Sequence, residues 1–218
     1  MQPKLRLEKE RTKTRELRRQ SIIEAAKNVF MEKGFENSTM QDIALESSLG
    51  IATVFRYFPK KEKLIVAVAS EIVEIQREFF AAIVYGEGTC YEKLSRLLDE
   101  LNFFEQDLHQ KNSKLIEAFE SYVAMANSPV EDIGQYQTIY EEMMELFAEL
   151  GNQGARDGTV RSDIDIVDTL LTMMNAFGNF SKKMAMVHGI SELQTFVDES
   201  KQFAIMKSVF MEYLKPKN

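Results

Sequence analysis

The chain has one cysteine, two histidines, no tryptophan and only four prolines in 218 residues. A single thiol, Cys90, excludes an internal disulfide and fits a reducing compartment, so a cytoplasmic location is expected. Cys90 itself reads as a small residue at a helix start rather than as a redox sensor. His109 and His188 lie far apart, and neither has a partner at metal-ligand spacing, which argues against zinc and nucleophile-histidine chemistry. Glycine-rich phosphate loops are missing too, and carboxylate pairs such as Glu141-Glu142 or Asp163 and Asp165 read as solvated faces and helix caps. No apolar run approaches the roughly 18 residues of a membrane span, and no apolar stretch follows the charged N-terminus. The expectation is a protein that is not an enzyme and has no metal, no cofactor and no membrane partner.

Alternating strand patterns are absent as well, and 44% hydrophobic residues suffice for a folded core. An all-α fold follows. Charge is divided unevenly: residues 1–63 carry 14 Lys/Arg against 9 Asp/Glu, and the remainder carries 13 against 25. A basic first quarter on an acidic body (net charge −7 overall) suits a protein that touches nucleic acid through one end only.

The basic end has its own pattern. Met40, Ile43 and Ala44 share one face of a short helix, Val54 and Phe58 give a second its apolar stripe, and Ile22, Ile23, Ala26, Val29 and Phe30 supply a supporting helix. Thr39 stands at an N-cap position, where free backbone N–H groups can meet a phosphate. Thr53, Arg56 and Tyr57 lie on the second short helix, within reach of phosphates and base edges. Pro59 stops that helix. Lys60, Lys61 and Lys63 then open another against its dipole, a conflict that a nearby phosphate would resolve. Ahead of all this, residues 1–20 hold eight Lys/Arg and three Glu. They read either as a solvated tail or helix extension, or as a basic arm adding phosphate or minor-groove contacts.

The run Thr39, Asp42-Ile43-Ala44, Thr53, Phe55-Arg56-Tyr57-Phe58 and Lys61-Glu62, followed by Leu64, resembles the DNA-binding domain of the TetR family of transcriptional repressors. The resemblance implies an N-terminal three-helix helix-turn-helix domain over residues 1–64 and a larger helical effector-binding and dimerisation domain over 65–218. It implies double-stranded DNA as partner, with Thr39, Gly50, Ala52, Thr53, Phe55, Arg56, Tyr57 and Lys61 as the contact set. Three positions depart from the family pattern. Ser48 occupies the turn and Gly50 the cap of the recognition helix, where the family commonly has Gly and Ser; a serine at positive φ is costly, so a reshaped turn or a shifted helix start is expected. Phe55 stands in place of the usual Tyr and lacks a hydroxyl donor.

Beyond Leu64 the periodicity predicts a helix from about Lys61 to Tyr85, then helices near 90–110, 112–127, 132–151, 163–187 and 191–214, with glycines such as Gly151, Gly154 and Gly158 as breakers. Ser162 or Asp163 is the expected cap of the 163–187 helix. By the resemblance, the last two helices form a homodimer interface, carrying Val167, Leu170, Leu171, Met174 and Phe177, then Leu193, Phe196, Val197, Phe203, Ile205 and Phe210. Two heads some 34–36 Å apart would read a palindrome. Methionines and aromatics concentrate in the body, and the family often encloses a ligand pocket there. Phe103, Phe104, Tyr122, Met125, Tyr140, Met144, Phe147, Met174 and Phe177 are the candidate wall, suited to a lipophilic small-molecule effector. The competing reading is a helical adaptor with a basic N-terminal region, which accounts for the charge split but not for the placement of Thr39, Thr53, Tyr57 and Lys61.

Overall fold

Pro3 can open a helix because the first turn needs no N–H at that position, and from there to Lys33 the chain holds no glycine or further proline. The result is α1, Pro3–Asn37, far longer than one extra turn before Ser21. The computed structural model describes residues 3–102, 107–126, 129–188 and 198–217, and all regular structure among them is helical. After α1 come α2 (Met40–Glu46), α3 (Ile51–Tyr57), α4 (Lys61–Val84), α5 (Cys90–Asn102), α6 (Asp107–Met125), α7 (Gly134–Asp157), α8 (Ile166–His188) and α9 (Glu199–Leu214). The all-α expectation holds.

Two compact units divide the chain: Met1–Glu74 with Lys111–Ile139, and Ile75–Gln110 with Tyr140–Asn218. The division departs from the expected break at residue 64. The reason is apolar: Leu115 and Phe119 of α6 are buried in the same core as Ile22, Phe30, Ile43, Val54 and Leu64, with Tyr122 and Tyr136 packed against it. Phe119 and Tyr136 stack with centroids 4.8 Å apart. Burying a side chain such as Phe119 stabilises by about 1.5–3 kcal/mol, enough to bind this stretch to the head's core. α1 breaks at Gly34, whose φ of 73° is the left-handed region glycine favours, and the chain turns so that Phe35 meets Phe30 edge-on at 5.0 Å.

In the second unit, α7 runs six residues past the expected end at 151. Gly151 and Gly154 do not break it; they let neighbouring chain come close. A Cβ on Gly151 would lie 2.0 Å from Ile166 Cγ2, and one on Gly154 would lie 3.0 Å from both Cys90 Sγ and Val160 Cβ. The glycine that ends the helix is Gly158, at φ 68°. Neither Ser162 nor Asp163 caps α8. Asp165 does, accepting from the Asp168 N–H at 3.0 Å, while Asp163 is taken by Arg161 and Lys217. Asp198 caps α9, accepting from Lys201 N–H at 2.9 Å. Leu193, Phe196 and Val197 lie outside the described residues.

Cys90 is fully buried, its Sγ 3.1 Å from the Leu150 carbonyl, and burial pushes its thiol up to about 12. It is an unreactive core residue at the start of α5, as its sequence context suggests. Lys93, also buried, donates to the Val84 carbonyl at the end of α4 and to Gln153 Oε1. Among the described residues no helix is long and apolar enough to cross a membrane.

Candidate nucleic-acid interface

α2 begins with a reciprocal cap. Thr39 Oγ1 accepts from the Asp42 N–H at 3.1 Å, and Asp42 Oδ2 accepts from the Thr39 N–H at 2.9 Å. Lys33 of α1 also donates to Asp42, at 2.7 Å, and the bonds from Lys33 and Thr39 pull the Asp42 carboxyl from its ordinary 3.8 down to about 2. The start of α2 is thus clamped to α1, with Thr39 exposed at the surface.

The turn after α2 answers the question raised by Ser48. Its φ is 54°, so serine holds the left-handed turn conformation itself, and Leu49 N–H closes the turn onto the Ala44 carbonyl at 3.0 Å. Gly50 is the N-cap of α3, extended at φ −66° and without a side-chain capping bond. α3 therefore starts directly after Gly50, the cap position expected from the sequence, and the strain sits at Ser48.

α3 turns Val54 fully inward, and the residue that ends the helix, Phe58, is 5% exposed. Ala52, Phe55 and Arg56, spaced to share one face, are exposed; Thr53 and Tyr57 are half-buried at its sides. The Arg56 guanidinium lies 5.8 Å from the centre of the Tyr57 ring. Arg56 and Tyr57 also form one wall of an open cleft of about 490 Å3, whose other wall is α1 through Glu10, Arg11, Thr14, Arg15 and Arg18. Residues 1–20 are basic throughout in sequence, and what groups these three arginines is their spacing of four and three along the stretch of α1 ahead of Gly34.

The lysines that open α4 have protein partners. Lys61 Nζ donates to the carbonyls of Phe35 (2.6 Å), Ser38 (2.9 Å) and Glu36 (3.4 Å), closing the open end of α1. Lys60 pairs with Glu131 at 2.6 Å, and Lys63 with Asp132 at 2.8 Å and Glu131 at 3.5 Å. Carbonyls and an acidic loop, rather than a phosphate, answer the dipole conflict seen in the sequence. Hydrogen bonds from Lys60 and Lys63 hold the Glu131 carboxyl below its ordinary range, and the bond to Asp132 raises Lys63.

The candidate effector wall is dispersed. Phe147 and Met174 line a small apolar cavity in the second unit with Phe80, Leu94, Leu97, Leu98, Leu170 and Met173. Its volume of about 20 Å3 is that of roughly one water. Phe177 is fully buried against Phe203 and Phe210, at 5.1 and 5.6 Å. Met144 is half-buried, Tyr140 is 46% and Met125 82% exposed, and Tyr122 belongs to the first unit's core. Phe103 and Phe104 lie outside the described residues, as do the side chains of His109 and His188. Dense methionine and aromatic sequence marked core in general, not one cavity.

Residues 22–68 match the sequence profile of bacterial regulatory proteins of the tetR family. Over 138 residues, 63% of this chain and 64% of the relative's length, the sequence is 28% identical to the HTH-type transcriptional repressor KstR of Mycolicibacterium smegmatis. It is 22% identical to the uncharacterized HTH-type transcriptional regulator YvdT of Bacillus subtilis, over 75% of this chain and 80% of that one. In fold, it superposes on the crystal structure of the transcriptional regulator FadR from Bacillus subtilis in complex with stearoyl-CoA with a TM-score of 0.67 at 15% identity, covering 89% of this chain and 98% of that one. With a capped α2, a Ser48 turn and an outward-facing α3 inside the matched segment, residues 22–68 form a helix-turn-helix like that of bacterial regulatory proteins of the tetR family, and the chain as a whole shares the fold of FadR.

Proposed function

We propose that the chain is a homodimeric repressor that reads a palindromic operator through α3 and lets go when a lipophilic ligand enters the second unit. The observation that carries the reading role is the division of α3, with Val54 inward and Ala52, Phe55 and Arg56 outward. Arg56 is assigned to a base edge, and Phe55 to a thymine methyl. Thr39, Thr53 and Tyr57 hold phosphates, Gly50 and Ala52 admit close approach of the backbone, and Lys61 braces the head from behind. One such helix reads only a few base pairs, so two copies are needed for a usable site.

A partner surface is available on α9. Ile205, Val209 and Tyr213, four residues apart, are 60, 62 and 47% exposed, while Phe203, Met211 and Leu214 are buried in the same unit. An apolar row outside a helix already packed inside fits a second copy of the chain.

The cavity at Phe147 and Met174 is apolar but has room for only about one water, so a larger ligand must displace Met173 and Met174, side chains suited to such repacking. α4, α6 and α7 each contribute residues to both compact units, which gives a ligand in one unit a covalent route to the other. A ligand preferring the DNA-incompetent state by about 1–3 kcal/mol would weaken operator affinity roughly 5- to 150-fold. FadR's stearoyl-CoA makes long-chain acyl compounds sensible first probes. Light scattering of the protein with an operator duplex should give two chains, or a multiple of two, per site. Ile205→Lys with Val209→Lys should yield monomers that lose the site; dimers persisting in that variant would refute the assigned interface.

A further inference from the structure

We propose that the N-terminal half of α1 is a phosphate rail, in which Arg11, Arg15 and Arg18 hold the DNA backbone flanking the groove that α3 enters. The inference rests on α3 being the DNA reader and adds a second, sequence-independent contact to it.

The three arginines lie at i, i+4 and i+7 on the part of α1 that precedes its break at Gly34, and they share a cleft with Arg56 of α3. Among the described residues, none of the four has a carboxylate partner, whereas their neighbour Arg19 pairs with Glu16 at 3.8 Å. Glu10, at the outer end of the cleft, is itself engaged. Like charges at these helical spacings repel, and a fourth guanidinium across the cleft adds to the cost. A polyanion between them reverses the sign.

The dimensions select the kind of contact. Arg11 to Arg18 spans about 10 Å of helix, and a DNA strand carries one charge per about 3.4 Å of axis, so two or three phosphates match the row. A continuous α-helix is about 10–12 Å wide, and the minor groove is about 6 Å, so α1 cannot enter it as an unfolded arm does. Guanidinium forks suit bidentate phosphate contact from outside the groove. Between phosphate and minor-groove contacts for the basic N-terminus, the geometry favours phosphates.

The test compares the full-length protein with Arg11→Gln/Arg15→Gln/Arg18→Gln, a change that keeps good helix formers, with helicity checked by circular dichroism. Each is titrated with its selected core duplex and with the same duplex extended by about six base pairs on each side, across a salt series. The wild type should gain salt dependence on the extended duplex, by a slope of about two per reading head, and ethylation of flanking phosphates should interfere with binding. The triple variant should lose both effects yet prefer the same core sequence. An unchanged slope and interference pattern in the variant would overturn the rail, as would displacement of the flank contacts by a netropsin-class minor-groove ligand. If the wild type fails to distinguish its core duplex from random DNA, the reading role of α3 has failed instead.

Discussion

Lys61 Nζ donates to the Phe35 carbonyl oxygen at 2.6 Å, tying the first turn of α4 to the end of α1. With Ser38 and Glu36 also accepting, the ammonium has three protein carbonyls around it. A phosphate would have to compete with them. Lys61→Ala should therefore lower the stability of the first unit by about 1–3 kcal/mol, the range for charge-assisted bonds, read as an earlier urea midpoint. At a temperature where the variant is folded, the slope of operator affinity against salt should be that of the wild type. A slope lower by about one would return Lys61 to the phosphate contacts.

Ser48 holds φ 54° without a glycine's freedom. Ser48→Gly removes strain of about 1–2 kcal/mol but adds about 0.4–1 kcal/mol of unfolded-state freedom. The expected net gain is about 0.5–1 kcal/mol, seen as a higher Tm with operator affinity unchanged. Gly50 has open space where a Cβ would go, so Gly50→Ser should add a few tenths more by capping α3.

Gly151→Ala places a methyl carbon 2.0 Å from Ile166 Cγ2. Alanine would ordinarily favour an α7 interior by about 1 kcal/mol, but overpacking of about 1–3 kcal/mol should win and the variant should melt earlier. Adding Ile166→Ala should recover part of the loss. Equal, additive effects in the double variant would mean the two residues do not meet.

Glu131 and Asp132 neutralise Lys60 and Lys63 at the mouth of α4. Glu131→Gln with Asp132→Asn keeps the loop's shape, since Asn tolerates the φ of 64° at position 132, and frees two cations beside the reader. Affinity for any duplex at low salt should rise and its salt dependence steepen, with sequence preference unchanged. No change in a filter-binding salt series would show these lysines to be remote from DNA.

The helix-turn-helix fold was legible because its signals are local: Ile22 to Phe30, Met40 to Ala44, and Val54 with Phe58 repeat at helical spacing, and Thr39 caps a helix with an Asp three residues on. What the sequence hid depends on distant partners. Lys60 and Lys63 looked like phosphate ligands because their acids stand about 70 residues away, and Lys61 because backbone carbonyls leave no mark in side-chain pattern. A glycine inside a helical pattern can end a helix or admit a neighbour, and only Ile166 and Cys90 decide the matter at Gly151 and Gly154. Tyr122 and Phe147 have the same composition signal, yet one belongs to the core around Phe119 and the other to the cavity beside Met174.

Selection of bound duplexes from a random pool at physiological salt, by the wild type and by Arg56→Ala in parallel, tests the central claim most directly. The wild type should enrich a two-fold symmetric motif. Arg56→Ala should keep the symmetry but relax one position in each half-site, at a cost of about 1–3 kcal/mol. A single asymmetric motif, or none above nonspecific binding, would contradict a dimeric operator reader built on α3.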